Sequence, residues 1–70
     1  MAKEQITNII RRLRFDAGEM TQETLAQKSG VTRQTIIALE AGKYVPSLAL
    51  AMKIGRVFGK RVDEVFRVEE

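Results

Sequence analysis

The sequence predicts an all-α domain of five short helices, and three observations carry that prediction. Apolar residues recur at spacings of three and four rather than two. Gly18, Gly30, Gly42 and Gly59 punctuate the chain at near-regular intervals, where a left-handed residue can end a helix; Gly55 falls outside that rhythm. Thr21, Thr32 and Ser47 stand directly before apolar-periodic segments, where a hydroxyl can accept from the orphan N–H groups of a first turn.

Each element follows from these signals. The first helix carries Ile6, Ile9, Ile10, Leu13 and Ala17, with Arg11, Arg12 and Arg14 interleaved, and Gly18 ends it. Its start is open: Asn8 is a good N-cap and would leave Gln5 to Thr7 extended. The second and third helices share one device. Met20 precedes the cap Thr21 and Leu25 follows; Val31 precedes the cap Thr32 and Ile36 follows, so each start has a hydrophobic staple. Starts only eleven residues apart leave a turn of about three residues, Ser29-Gly30-Val31, which is helix-turn-helix spacing.

The third helix ends at Ala41-Gly42, and Lys43 to Pro46 form a loop in which Val45, preceding proline, is biased to extended backbone. Ser47 caps a fourth helix with Leu48, Ala51, Ile54, Gly55 and Phe58 on its apolar face, ended by Gly59. A fifth runs near Val62 to Phe66, with Asp63 and Glu64 at its positive end. Phe66 to Val68 fits a terminal turn or a short strand.

Seventy residues are expected to make a single domain, 1–70, with a small core. Cysteine and histidine are both missing from the sequence. That removes disulfides, thiolate metal sites and the commonest general base, so no catalytic site, metal or other cofactor is expected. No apolar run approaches the roughly 18 residues of a membrane span, and the first residues do not resemble a signal peptide. A cytoplasmic location is the default expectation. The formal charge is +3, but the last ten residues set Arg61 and Arg67 against Asp63, Glu64, Glu69 and Glu70, which leaves about +5 on residues 1–60. A basic body suits a polyanionic partner, and equally a plain solvated surface.

The stretch 21–41 carries the functional signal. Leu25, Ala26, Gly30, Val31, Ile36 and Leu39 fill the wedge between two crossing helices; Ala26 permits close approach and Gly30 supplies the positive φ of the turn. With Ile36 and Leu39 inward, the third helix turns Thr32, Arg33, Gln34, Thr35, Ile37 and Ala38 outward. No acid lies between Thr32 and Leu39. Arginine pairs bidentately with guanine O6 and N7, glutamine with adenine N6 and N7, and apolar groups meet the thymine methyl. Ile37 fits that last role, or the packing of the adjoining loop.

At these residues the segment Thr21 to Phe66 resembles the phage repressor and Cro-type (xenobiotic-response-element-like) helix-turn-helix family, in its compact single-domain bacterial and archaeal form. The signature is Thr32-Arg33-Gln34-Thr35, then Leu39-Glu40, Gly42-Lys43 and Pro46-Ser47-Leu48, and the likeness extends to Arg14-Phe15-Asp16. The resemblance implies a repressor-like fold, with a short sheet pairing the chain ends, and a transcriptional regulator that inserts its third helix into the major groove of double-stranded DNA. It implies base reading by Arg33, Gln34 and Ile37, with Thr35 and Ala38 beside them. Gln22, Thr32 and Lys43 match backbone-clamping positions. Arg14 and Glu40 match an ion pair near a phosphate, which serves the fold or the DNA contact. Tyr44 either stacks on the sugar-phosphate backbone or covers core. The chain departs from the family at Ala41, where many members have Asn, at Ser29 in the turn, and at Arg61, where a hydroxyl cap is usual.

One recognition helix reads only a few base pairs, so a homodimer on a palindromic operator is expected, with Val62, Val65, Phe66 and Val68 as interface. Val62, Val65 and Phe66 also fit as closure of the core beneath the first helix, and the two roles are compatible. The rival role is an antitoxin or other protein-sequestering partner on the same fold, using Leu50, Met52 and Val57.

Overall fold

The computed structural model describes residues 5–69. Strand β1 (Gln5–Asn8) leads into α1 (Ile10–Asp16), α2 (Gln22–Ser29), α3 (Arg33–Glu40), α4 (Leu48–Phe58) and α5 (Val62–Val65), and strand β2 (Phe66–Glu69) follows. The expected five helices and the terminal strand pairing are both there. None of the described helices is long and apolar enough to cross a membrane.

The hydroxyl caps work as their positions require. Thr21, Thr32 and Ser47 accept from the N–H groups of Thr24, Thr35 and Leu50 at 3.0, 3.3 and 3.1 Å. Met20 and Val31, the staple residues ahead of α2 and α3, pack against the core. Gly30 ends α2 in the left-handed region at φ +73°, and the Val31 N–H returns to the Ala26 carbonyl at 3.0 Å. The turn is Gly30-Val31-Thr32, one residue later than the spacing suggested, because Ser29 is still helical. Ser29 is buried, and its Oγ has no partner among the described residues. A buried hydroxyl without a partner therefore weakens the wedge.

The stretch ahead of α1 is extended, as expected if the helix starts after Asn8, but the N-cap position falls one residue later, on Ile9, which makes no side-chain cap bond. Asn8 Oδ1 accepts the Ile10 N–H at 3.1 Å, and the residues before it run as a strand. β1 and β2 are antiparallel, with Ile6 opposite Val68 and Asn8 opposite Phe66. The Ile9 N–H donates to the Val65 carbonyl at 3.0 Å, which fixes the entry into α1 on the end of α5. Ile6 is therefore a strand residue, Ile9 is exposed, and Ala17 lies beyond the helix end; Ile10 and Leu13 alone carry the buried face of α1.

Two expectations about apolar residues are corrected. Leu48 is the first residue of α4 and projects past the core, 71% exposed, while Leu50 takes the inward position at 6%. Leu50 is thus unavailable to a protein partner; Met52 is half-exposed and Val57 packs on the core. Val65 and Phe66, expected in a dimer interface, belong to the protomer's own core at 1% and 9% exposure. The bond from Ile9 to Val65 and the register that sets Phe66 beside Asn8 fold both side chains inward. Val62 is partly buried and Val68 remains half-exposed.

At Arg61 the missing hydroxyl cap is replaced from the other side. Glu64 turns back and accepts the Arg61 N–H at 2.8 Å, which is the second half of a capping box.

Gly55 has a packing reason rather than a turning one. It lies buried inside α4, and the Lys60 N–H donates back to its carbonyl at 2.8 Å. A β-carbon there would stand 2.6 Å from the Lys60 carbonyl oxygen. Gly55→Ala should gain about 0.5–1 kcal/mol of helix propensity but lose roughly 1–3 kcal/mol to the backbone clash. The net effect is a lower melting temperature, by roughly 4–8 °C per kcal/mol for a domain of this size. Thermal denaturation followed by circular dichroism checks this, and an unchanged or higher midpoint would refute it.

Candidate nucleic-acid interface

Helix α3 is held from behind by Ile36 and Leu39, which are 0% and 1% exposed. At 100° per residue, the direction opposite that pair falls on Gln34, Ile37 and Ala38, with Arg33 on one flank and Thr35 on the other. The surface agrees: Arg33, Gln34 and Ile37 are exposed, and Thr35 and Ala38 are partly buried. Ile37 is 41% exposed, so it does not serve chiefly to pack the neighbouring loop. The five residues expected to meet bases form one continuous strip. Thr35 spends part of its capacity locally, since its hydroxyl lies 3.1 Å from that of Thr32.

Both ends of the strip are fixed by backbone geometry. At the start, Thr32 is exposed and caps the helix. At the far end, Gly42 at φ +74° lets its own N–H and that of Lys43 return to the Leu39 and Ala38 carbonyls, each at 3.0 Å. Lys43 therefore leaves the helix from a defined point with its side chain in solvent. Tyr44 follows it, 44% exposed, and is not among the residues packed on the core. Its ring is available to a partner.

The carboxylate of Glu40 gathers three elements. Arg14 from α1 grips it bidentately, Nε to Oε2 at 2.6 Å and Nη2 to Oε1 at 3.0 Å, and Nη1 donates to the Met20 carbonyl at 2.8 Å. Gln22 from the first turn of α2 adds Nε2 to Oε1 at 3.2 Å. The ion-pair side chains are 15% and 10% exposed. Of the two roles open for Arg14, the geometry favours the fold: its charge is matched inside the protein, and it positions Glu40 and Gln22. Gln22 keeps one amide proton free and stands at the N-terminal end of α2, where helix amides point outward.

Sequence reasoning missed Asn8. Besides accepting the Ile10 N–H from the position ahead of the N-cap, it donates Nδ2 to the Leu39 carbonyl at 2.9 Å, so β1 holds the last turn of α3. An Asn before a helix signals a cap; nothing local signals a bond reaching thirty-one residues along the chain.

A family model described as helix-turn-helix matches residues 10–65. The chain belongs to the Cro/C1-type helix-turn-helix family. An HTH-type transcriptional regulator of Methanocaldococcus jannaschii is 57% identical over 51 residues, covering 73% of this chain and 77% of its own. One from Methanothermobacter thermautotrophicus is 51% identical over 63 residues, 89% of this chain and 90% of its own. The HTH-type transcriptional regulator YgzD of Bacillus subtilis is 48% identical over 63 residues, 90% and 94% respectively.

In this helix-turn-helix domain the two kinds of ion pair should differ sharply. Arg14→Ala leaves Glu40 part-buried without its cation, and should cost about 2–4 kcal/mol, a little under the loss for a fully buried pair. Arg12 pairs with Asp16 at 3.3 Å on the surface, with side chains 75% and 54% exposed. Arg12→Ala should change stability by about 0.5 kcal/mol or less. Urea titration of both variants gives the comparison, and equal losses would remove Arg14 from its positioning role.

Proposed function

We propose that this chain is a sequence-specific double-stranded DNA-binding transcriptional regulator, acting in the cytoplasm as a repressor and as a homodimer on a palindromic operator. The observation that carries the proposal is the exposed, acid-free strip of α3. It is backed by Ile36 and Leu39 and bounded by Thr32 and Lys43. A helix of this width enters the major groove, where each base pair displays its own pattern of donors, acceptors and methyl groups.

The roles divide by reach and chemistry. Arg33 takes guanine, Gln34 takes adenine and Ile37 lies on thymine methyls, with Thr35 and Ala38 shaping the flanks. Thr32, Lys43 and the free amide proton of Gln22 hold phosphates on either side, and Tyr44 lies along the sugar-phosphate backbone. Phosphate contacts set register and most of the affinity, and base contacts set the choice of site. Two copies about a two-fold axis set their α3 helices about 34 Å apart, in successive major grooves. Regulation is then by occupancy, with the bound dimer blocking polymerase.

Selection from a random DNA pool with the purified protein tests this directly. The expected product is an inverted repeat with half-sites about one helical turn apart, and recovery of no consensus would refute the proposal. Within the selected site, Arg33→Ala should weaken binding by about 1–3 kcal/mol and relax discrimination at one position in each half-site. Lys43→Ala should weaken binding to specific and random DNA alike, and should reduce the slope of log K against log salt by about 0.9 for each phosphate no longer neutralised. Gel shifts across a salt series separate the two, and identical behaviour of both variants would overturn the division of roles.

A further inference from the structure

A cup of about 390 Å³ opens where the end of α2 meets α4. Lys28, Ser29 and Gly30 wall it on one side and Lys53, Arg56 and Val57 on the other, and no acidic side chain lines it. Lys28, Lys53 and Arg56 are exposed, and none has an ion-pair partner among the described residues. Lys53 and Arg56 stand three residues apart on one helix, as surface neighbours whose like charges repel. Ser29 is 1% exposed, and its Oγ is the buried side-chain atom left without a partner among the described residues. The DNA contacts proposed above use none of these side chains.

We propose that this cup binds a small phosphate-bearing anion, held by Lys28, Lys53 and Arg56 and by the Ser29 hydroxyl. Arg56 can grip two oxygens with its planar fork, and the two lysines add point charges. The hydroxyl donates to a phosphate oxygen and so gains the partner it lacks in the free protein. Three unpaired cations exceed what a single carboxylate neutralises. They suit a phosphate group, which carries about −1.5 to −2 at neutral pH. The carbonyl end of α2 opposes the anion with about half a charge, well below the combined charge of the three side chains.

Two features favour a small free anion over the backbone of a nucleic acid. The volume falls within the range of small-molecule sites, about 300–1,000 Å³, whereas a nucleic-acid backbone is met along a basic track. The cup also opens at the junction of α2 with α4 and includes no residue of α3 or of the loop after it. Val57 and the aliphatic stems of the lysines offer an apolar surface to the rest of the molecule. An anion bridging the two helices braces the end of α2, where the unpartnered hydroxyl otherwise weakens the packing.

Calorimetric titration of pyrophosphate, and separately of a short random duplex, tests the proposal on the wild type, Lys53→Gln, Arg56→Gln, Ser29→Ala and Lys60→Gln. Lys60 is exposed and lies outside the cup, so its variant removes the same charge elsewhere. At about 0.15 M salt, exposed charges beyond about 8 Å are screened, and the wild type and Lys60→Gln should bind pyrophosphate alike. Lys53→Gln and Arg56→Gln should each weaken it by about tenfold and leave duplex binding within about twofold of wild type. Ser29→Ala should weaken it by about twofold to tenfold without lowering the melting midpoint of the free protein, which loses no bond. A wild type that does not bind pyrophosphate would overturn the proposal. So would an equal loss in Lys60→Gln, which marks diffuse attraction, or an unchanged affinity in Ser29→Ala, which reduces the cup to surface charge. If Lys53→Gln and Arg56→Gln weaken the duplex instead, these cations serve a DNA backbone and the small-anion site is wrong.

Discussion

The carboxylate of Glu40 is the point on which the geometry of this domain turns. It sits at the last residue of α3 and receives Arg14 from α1 and Gln22 from α2. One residue earlier, the Leu39 carbonyl accepts from Asn8 of β1. The end of α3 is thus tied to every element that precedes it, while Ile36 and Leu39 hold its inner face by burial. Hydrophobic contact is non-directional and leaves a short helix free to slide or roll by small amounts. The fork of an arginine on a carboxylate is directional and removes that freedom. In the proposed role, where the strip meets base edges at hydrogen-bond distance, the second kind of constraint is needed as well as the first.

The same bonds decide what the polar side chains at the edge can do. Neutralised by Glu40, Arg14 cannot lend its full charge to a phosphate, and its contribution passes through the placement of Gln22. Lys43 stands in solvent on a backbone fixed by Gly42, with no ion-pair partner among the described residues. Of the three cations that resemblance brings to the interface, Arg14 is therefore committed to the fold, while Arg33 and Lys43 are exposed without an ion-pair partner among the described residues.

Much of the fold was legible because its signals are local. An N-cap hydroxyl acts on an N–H three residues away and a C-terminal glycine on a carbonyl a few residues back, so Thr21, Thr32, Ser47 and Gly30 could be assigned from sequence. The outward strip of α3 was legible for the same reason, since helical periodicity alone sets its direction once Ile36 and Leu39 are turned inward. The failures lie where the deciding contact is distant. Whether Leu48 or Leu50 faces the core depends on how α4 meets the rest of the domain, and a helix start permits either. Val65 and Phe66 are drawn inward by pairing with Ile9 and Asn8, more than fifty residues earlier. Asn8 shows both cases in one side chain: a local bond from its Oδ1 to the start of α1 was foreseeable, though it falls one residue ahead of the cap, and the Nδ2 bond to Leu39 was not.

Gly55 and Ser29 show how such distant contacts set residue type. Gly55 breaks the rhythm of the other glycines because it answers to space rather than to backbone angle: the chain after α4 folds back against it and excludes a β-carbon. Ser29 sits where the wedge would accept an apolar group, and its unpartnered hydroxyl weakens the contact between α2 and α3 that burial otherwise supplies. In a chain of seventy residues, where few apolar contacts are available to absorb such a weakness, the bonds at Glu40 and Leu39 take on part of the task of holding α3. They lie at the C-terminal end of that helix, opposite the Ser29 turn. Its N-terminal end, which carries Arg33 and Gln34, is held instead by the Thr32 cap and the packing of Val31.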